Sequence, residues 1–141
     1  MKKSVFSLSL ILFTLALLSA ACSKGGSSGE DKVIKSAKAG NLTVTLSNAT
    51  GELKNGENEL FISFADPSGK LVDVGAASLN FHMAAMGTMA EMNDKATLTT
   101  TEIPGKYRAK VEIEMASTWE AVIVYEGQQG RGQAVITVNV K

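Results

Sequence analysis

The chain has 141 residues, with 14 basic and 14 acidic side chains, one histidine and one cysteine. Balanced charge leaves no basic footprint for nucleic acid, and a lone cysteine excludes an internal disulfide. One histidine, with no cysteine nucleophile and no serine, histidine and acid in catalytic order, leaves hydrolase or transferase chemistry without support, so the chain is read as a non-enzyme.

Lys2 and Lys3 precede a run of apolar and small residues over 5–21, the pattern of a secretory signal that takes no part in the fold. Leu18-Ser19-Ala20-Ala21-Cys22 resembles the bacterial lipobox, in which the cysteine is acylated before the segment ahead of it is cut away. Processing is therefore expected to remove residues 1–21 and to leave Cys22, lipid-bearing, as the first residue of a protein held to the membrane by that anchor. An uncleaved membrane span is the alternative. The apolar run falls slightly short of the ~20 residues that cross a bilayer, and a span would leave the cysteine at its outer end unexplained. Ser23 resembles the sorting signal of outer-membrane rather than inner-membrane lipoproteins, so the expected location is the periplasmic side of the cell envelope. Loss of Lys2 and Lys3 leaves 12 basic against 14 acidic residues. The mature length of about 120 residues suits one domain with its own core.

Residues 23–40 are rich in Gly, Ser and Lys, and the stretch 22–40 is expected to be a lipidated flexible linker. The folded domain is expected over 41–141. There the period changes to two: residues 42–46 and 60–64 alternate apolar with polar, as strands do. Asn55-Gly56 and Asp66-Pro67-Ser68-Gly69 supply turns. Alternation returns over 77–83, 96–101, 106–114, 119–125 and 133–140, and no segment has a capped helix. About seven short strands in one domain is the pattern of an antiparallel β-sandwich of immunoglobulin type, with a small barrel as runner-up. Residues 107–113 and 119–125 are expected to be neighbouring strands joined through Ala116-Ser117-Thr118, with Val111, Ile113 and Trp119 in the core.

One segment carries chemistry. Of six methionines, four fall in His82-Met83-Ala84-Ala85-Met86-Gly87-Thr88-Met89-Ala90-Glu91-Met92, which opens with the only histidine. Thioethers are soft ligands that need no deprotonation, so beside an imidazole they suit Cu(I) or Ag(I) better than hard ions or zinc. The opposing reading is packing, because the methionines recur every third residue and methionine is a common core filler. The residues between them are Ala, Gly, Thr and Glu, which supply little core bulk, and this favours a loop with adjustable sulfurs. His82, Met86, Met89 and Met92 are the candidate ligands. Met83 is a candidate that competes with the core, because neighbours on a strand point to opposite faces and Leu79, Phe81 and Met83 share the inward parity. A solvated His82 without a metal is the bland reading of that ring.

Trp119 is expected in the core rather than shielding a metal. Glu112 and Glu114 alternate with Val111, Ile113 and Met115 and are expected to face solvent. Gly127-Gln128-Gln129-Gly130-Arg131-Gly132 lacks phosphate-loop spacing and a following helix, and is expected to be a hairpin loop.

Phe81-His82-Met83 with Met86 and Met89, then Ile103-Pro104-Gly105-Lys106-Tyr107, then Met115-Ala116-Ser117-Thr118-Trp119-Glu120-Ala121-Val122 resemble the YtkA-like, or FixH-like, domain. That family shows an H-M-x-x-M-x-x-M loop, a G-x-Y strand start and a late G-x-W strand, where this chain has Ser117 in place of the glycine. The resemblance spans most of 41–141. It implies an immunoglobulin-type sandwich and copper handling at His82, Met86 and Met89, with Met83 and Met92 as further positions. It also implies partners in copper-oxidase assembly or heavy-metal efflux. Two functions are thus expected to compete: a lipid-anchored Cu(I) chaperone or scavenger, and a metal-free interaction module whose methionine-rich loop docks a protein.

Overall fold

Alternation of side chains decides the architecture. Leu60, Ile62 and Phe64 are buried while Glu59, Phe61 and Ser63, interleaved with them, lie on the opposite face. A computed structural model describes residues 30–141; the expected signal segment, Cys22 and the start of the expected linker lie outside the described residues.

Nine strands follow in order: β1 (Lys32–Ala39), β2 (Leu42–Asn48), β3 (Gly56–Ala65), β4 (Ala76–Met83), β5 (Met92–Lys95), β6 (Thr97–Thr100), β7 (Lys106–Ile113), β8 (Thr118–Gly127) and β9 (Gly130–Asn139). They form a sheet of order β1-β2-β3-β7-β6 and a second of order β5-β4-β8-β9, with antiparallel pairing throughout. The protein is therefore an all-β sandwich, as expected, and two separate sheets replace the alternative barrel. Val44, Leu46, Ile62 and Phe64 of the first sheet meet Leu79, Phe81, Trp119 and Ile123 of the second in one buried cluster. Among the described residues no helix is long and apolar enough to cross a membrane.

Three expectations need correction. First, the domain begins before residue 41, because β1 occupies residues 32–39 of the stretch 22–40 read as linker. Ala39 pairs with Leu42 across a tight turn in which Gly40 takes φ +60°, and Ile34, Ala37 and Ala39 give β1 enough apolar surface to dock. Its lysines suit an edge strand, where charge discourages pairing with another chain; Lys35 Nζ also donates to the carbonyl of Thr137 on β9 at 2.8 Å. Second, β7 and β8 are not neighbours. β7 lies between β3 and β6, while β8 lies between β4 and β9. The connection crosses from one sheet to the other, held by Trp119 Nε1 donating to the Met115 carbonyl at 2.9 Å. Alternation marks which face of a strand is buried but not which strand pairs with it, so the two readings looked alike. Val111, Ile113 and Trp119 are nonetheless buried, as expected. Third, the count rises from about seven to nine because β1 and the short β5 join the set.

The segment Ile103-Pro104-Gly105-Lys106-Tyr107 acquires a physical reason. Gly105 is buried at φ +81°, and a Cβ there would stand 2.8 Å from the backbone nitrogen of Val72. Its carbonyl accepts the Phe64 N–H at 2.9 Å, which locks the start of β7 to the end of β3. Gly69 has a similar φ of +87° but open space around it. Gly69→Ala is expected to cost about 1 kcal/mol of stability through backbone strain alone, and Gly105→Ala distinctly more. Urea-unfolding midpoints check this, and equal midpoints for the two variants would contradict it.

Candidate functional site

The methionine segment is the end of a β-hairpin. β4 and β5 pair antiparallel with His82 opposite Asn93 and Met83 opposite Met92. The same register reaches the tip, where Met86 pairs with Met89. Their backbones exchange two hydrogen bonds, Met86 N–H to Met89 O at 3.1 Å and Met89 N–H to Met86 O at 2.9 Å. Gly87 and Thr88 make the two-residue turn, with Gly87 at φ +59° in the first position, where a type II′ turn places glycine.

Alternation then divides the candidates. Met83 is 3% exposed and sits in the core with Leu79 and Phe81. Met92, its cross-strand partner, is partly buried against the same core. His82 and Asn93 belong to the opposite, outward face, with His82 Nδ1 and Asn93 Oδ1 3.2 Å apart. At the tip Met86 is 56% exposed and Met89 41% exposed. Because Met86 and Met89 are a hydrogen-bonded cross-strand pair, their Cα atoms stand roughly 5.5 Å apart and their side chains share one face. The pair keeps the register of His82 and Asn93, although residues 84–85 and 90–91 between them are not part of the ladder.

The donors thus fall into two groups. Met83 and Met92 belong to the packing of the sandwich, while Met86 and Met89 form a pair of accessible thioethers. Four residues along a strand, the separation of His82 from Met86, span about 13 Å, so ring and sulfurs would share one ion only on bending of the tip over the outer face of β4. Ala84, Ala85, Ala90 and Glu91 lie outside the ladder, and three of these four are alanines that oppose little bulk to such a bend. Among the described residues no group of three or more His, Cys, Asp or Glu side chains is placed to hold a metal. A soft cation is the one the hairpin's donor chemistry fits.

Asn93 and Asn80 were not among the sequence candidates. Asn80 Nδ2 donates to Asn93 Oδ1 at 3.0 Å, which joins both amides to the His82 ring. No pattern in the sequence marks them, since their proximity depends on the β4–β5 register. The remaining candidates sit as expected: Glu112 and Glu114 are exposed, and residues 127–132 make the β8–β9 hairpin, with Gly127 paired to Gly130.

A nine-strand sandwich with a histidine and methionine hairpin at one end defines a small all-β domain that presents soft donors on a short, ordered loop. The YtkA-like family model matches residues 36–124, and the chain belongs to that family. The match runs from within β1 to within β8 and so encloses the hairpin. No curated protein and no solved structure matches the chain.

The division of the methionines is directly measurable. Met83→Ala is expected to destabilise the domain by about 2–4 kcal/mol through lost burial and an unfilled cavity. Met86→Ala, at an exposed turn, should stay within about 0.5 kcal/mol of the parent. Denaturant midpoints compare them, and similar losses for the two would show that the tip is packed.

Proposed function

We propose that the protein is an exported, lipid-anchored binding protein that captures Cu(I), or Ag(I), at the end of the β4–β5 hairpin and passes it on as a chaperone or scavenger. The observation that carries this reading is the exposed thioether pair, Met86 and Met89, set in register with the only histidine of the chain. Soft sulfur binds a soft monovalent ion without releasing protons, and sulfur resists the disulfide fate of thiolates in an oxidising compartment. The sulfur pair and His82 are the proposed ligands, and the bound ion would supply the drive to bend the alanine arms of the tip. Met83 and Met92 would support the hairpin from beneath, with Met92 the nearer to joining the ion. Exposure of the sulfurs favours transfer, because an incoming ligand can reach the ion while the old ligands still hold it.

Attachment through Cys22 would keep the domain at the periplasmic side of the envelope, within reach of machinery for copper-oxidase assembly or heavy-metal efflux. The same exposed methionines also favour the competing reading, a metal-free docking surface for a protein partner. Metal affinity separates the two.

The test uses the full chain with Cys22→Ser, so that no thiol competes, titrated with Cu(I) against a competing chelator. Met86→Leu together with Met89→Leu is expected to weaken binding by more than the ~10–100-fold typical of losing an outer-shell partner. Met83→Leu should leave the affinity unchanged. Equal affinity in the double variant and the parent would end the proposal.

A further inference from the structure

The outward face of the hairpin carries a hydrogen-bonded row that thioether binding does not explain. His82 on β4 is flanked by Asn93 on β5 and by Glu120 on β8, its register partners on either side. Asn93 Oδ1 lies 3.2 Å from His82 Nδ1 and 3.0 Å from Asn80 Nδ2. With the amides placed so that Asn80 Nδ2 donates, the shared Asn93 atom is an oxygen acting as acceptor. A ring nitrogen at hydrogen-bond distance from an acceptor carries the proton. The neutral ring is then the Nδ1–H tautomer, and Nε2 keeps its lone pair. Among the described residues Nε2 has no hydrogen-bond partner; Glu120, across β8, does not bond to the ring.

We infer that Asn93 is a positioning residue, which holds His82 in the Nδ1–H tautomer and leaves Nε2 as the nitrogen donor for a soft cation. The inference rests on the proposed role of the hairpin in binding Cu(I). Free imidazole in water favours the other tautomer, with the proton on Nε2, which would present the lone pair to Asn93 rather than to an ion. A second hydrogen bond from a ligating ring fixes its orientation and raises its basicity as a donor. Asn80 belongs to the same row: its Nδ2 donates to Asn93 Oδ1 and helps to hold that amide, while its own Oδ1 is buried without a partner. Pleating explains why the row exists at all. Met83 and Met92 take the inward positions of the β4–β5 pair, so their neighbours His82 and Asn93 are forced outward and opposite each other.

His82 is the only histidine, so imidazole nitrogen NMR of the isotope-labelled full chain reports on one ring. Spectra are read on the alkaline side of each variant's own imidazole titration. The parent is expected to show Nδ1–H, Asn93→Ala to move toward Nε2–H, and Asn93→Asp, which restores an acceptor, to keep Nδ1–H. Glu120→Ala should leave the tautomer unchanged. Cu(I) titration of the same variants, each with Cys22→Ser, should show about 10–100-fold weaker binding for Asn93→Ala, with Asn93→Asp near the parent. An Nε2–H parent, or a tautomer indifferent to Asn93, would overturn the assignment whatever the copper data show. An unchanged affinity in Asn93→Ala alongside a changed tautomer would remove the positioning role. A parent that binds no Cu(I) would overturn the proposed function, and with it the ligand role of Nε2, while the tautomer spectra would still decide whether Asn93 controls the ring.

Discussion

Three inward residues on one strand control the site. Leu79, Phe81 and Met83 are buried on β4, and because side chains alternate, His82 between the last two must face out. A slip of one residue would drive the ring into the core and strip Phe81 and Met83 of theirs. Burying side chains of that size is worth about 1.5–3 kcal/mol each, so the register is strongly held. Pairing with β5 transmits the constraint: Met92 follows Met83 inward, Asn93 follows His82 outward, and Met86 and Met89 close the end.

On the proposed reading the hairpin has a firm base and a tip that adjusts to the ion. The ladder from Asn80 to Met83 is locked by packing beneath it and by β8 alongside. Beyond Met83 the ladder lapses until the Met86–Met89 pair, and the intervening arms are mostly alanine. Binding sites gain accuracy when their donors stand on rigid elements, and on the proposed reading the ring is that fixed donor. The sulfurs are the movable ones, with flexible thioether side chains that adapt to an ion more readily than branched ones do. An ion held by one fixed and two adjustable ligands is easily handed over, because the sulfurs can leave in turn.

The sandwich was legible because its strands bury one face each, and period-two alternation records that face directly, as at residues 42–46 and 60–64. Pairing was less legible. β7 and β8 alternate alike, and only their partners, β3 and β6 for the one and β4 and β9 for the other, show that the chain changes sheets between them. β1 escaped because its apolar residues are small or sparse among lysines; its signal lies in Gly40-Asn41, a two-residue hairpin turn hidden in a polar stretch. At the candidate site the inward parity of Met83 could be read from Leu79 and Phe81. The inward placement of Met92 could not, because it depends on β5, whose four residues, Met92-Asn93-Asp94-Lys95, carry almost no apolar pattern. The Asn93 contact with His82 is invisible for the same reason.

X-ray absorption at the copper edge of the Cu(I)-loaded, Cys22→Ser full chain tests most directly whether soft sulfur and one imidazole hold the ion. Two thioether sulfurs and one imidazole nitrogen in the first coordination shell are the expected result, with the sulfur signal lost when Met86 and Met89 are both leucine. A shell of nitrogen and oxygen alone, or a sulfur signal that survives in the double variant, would contradict it.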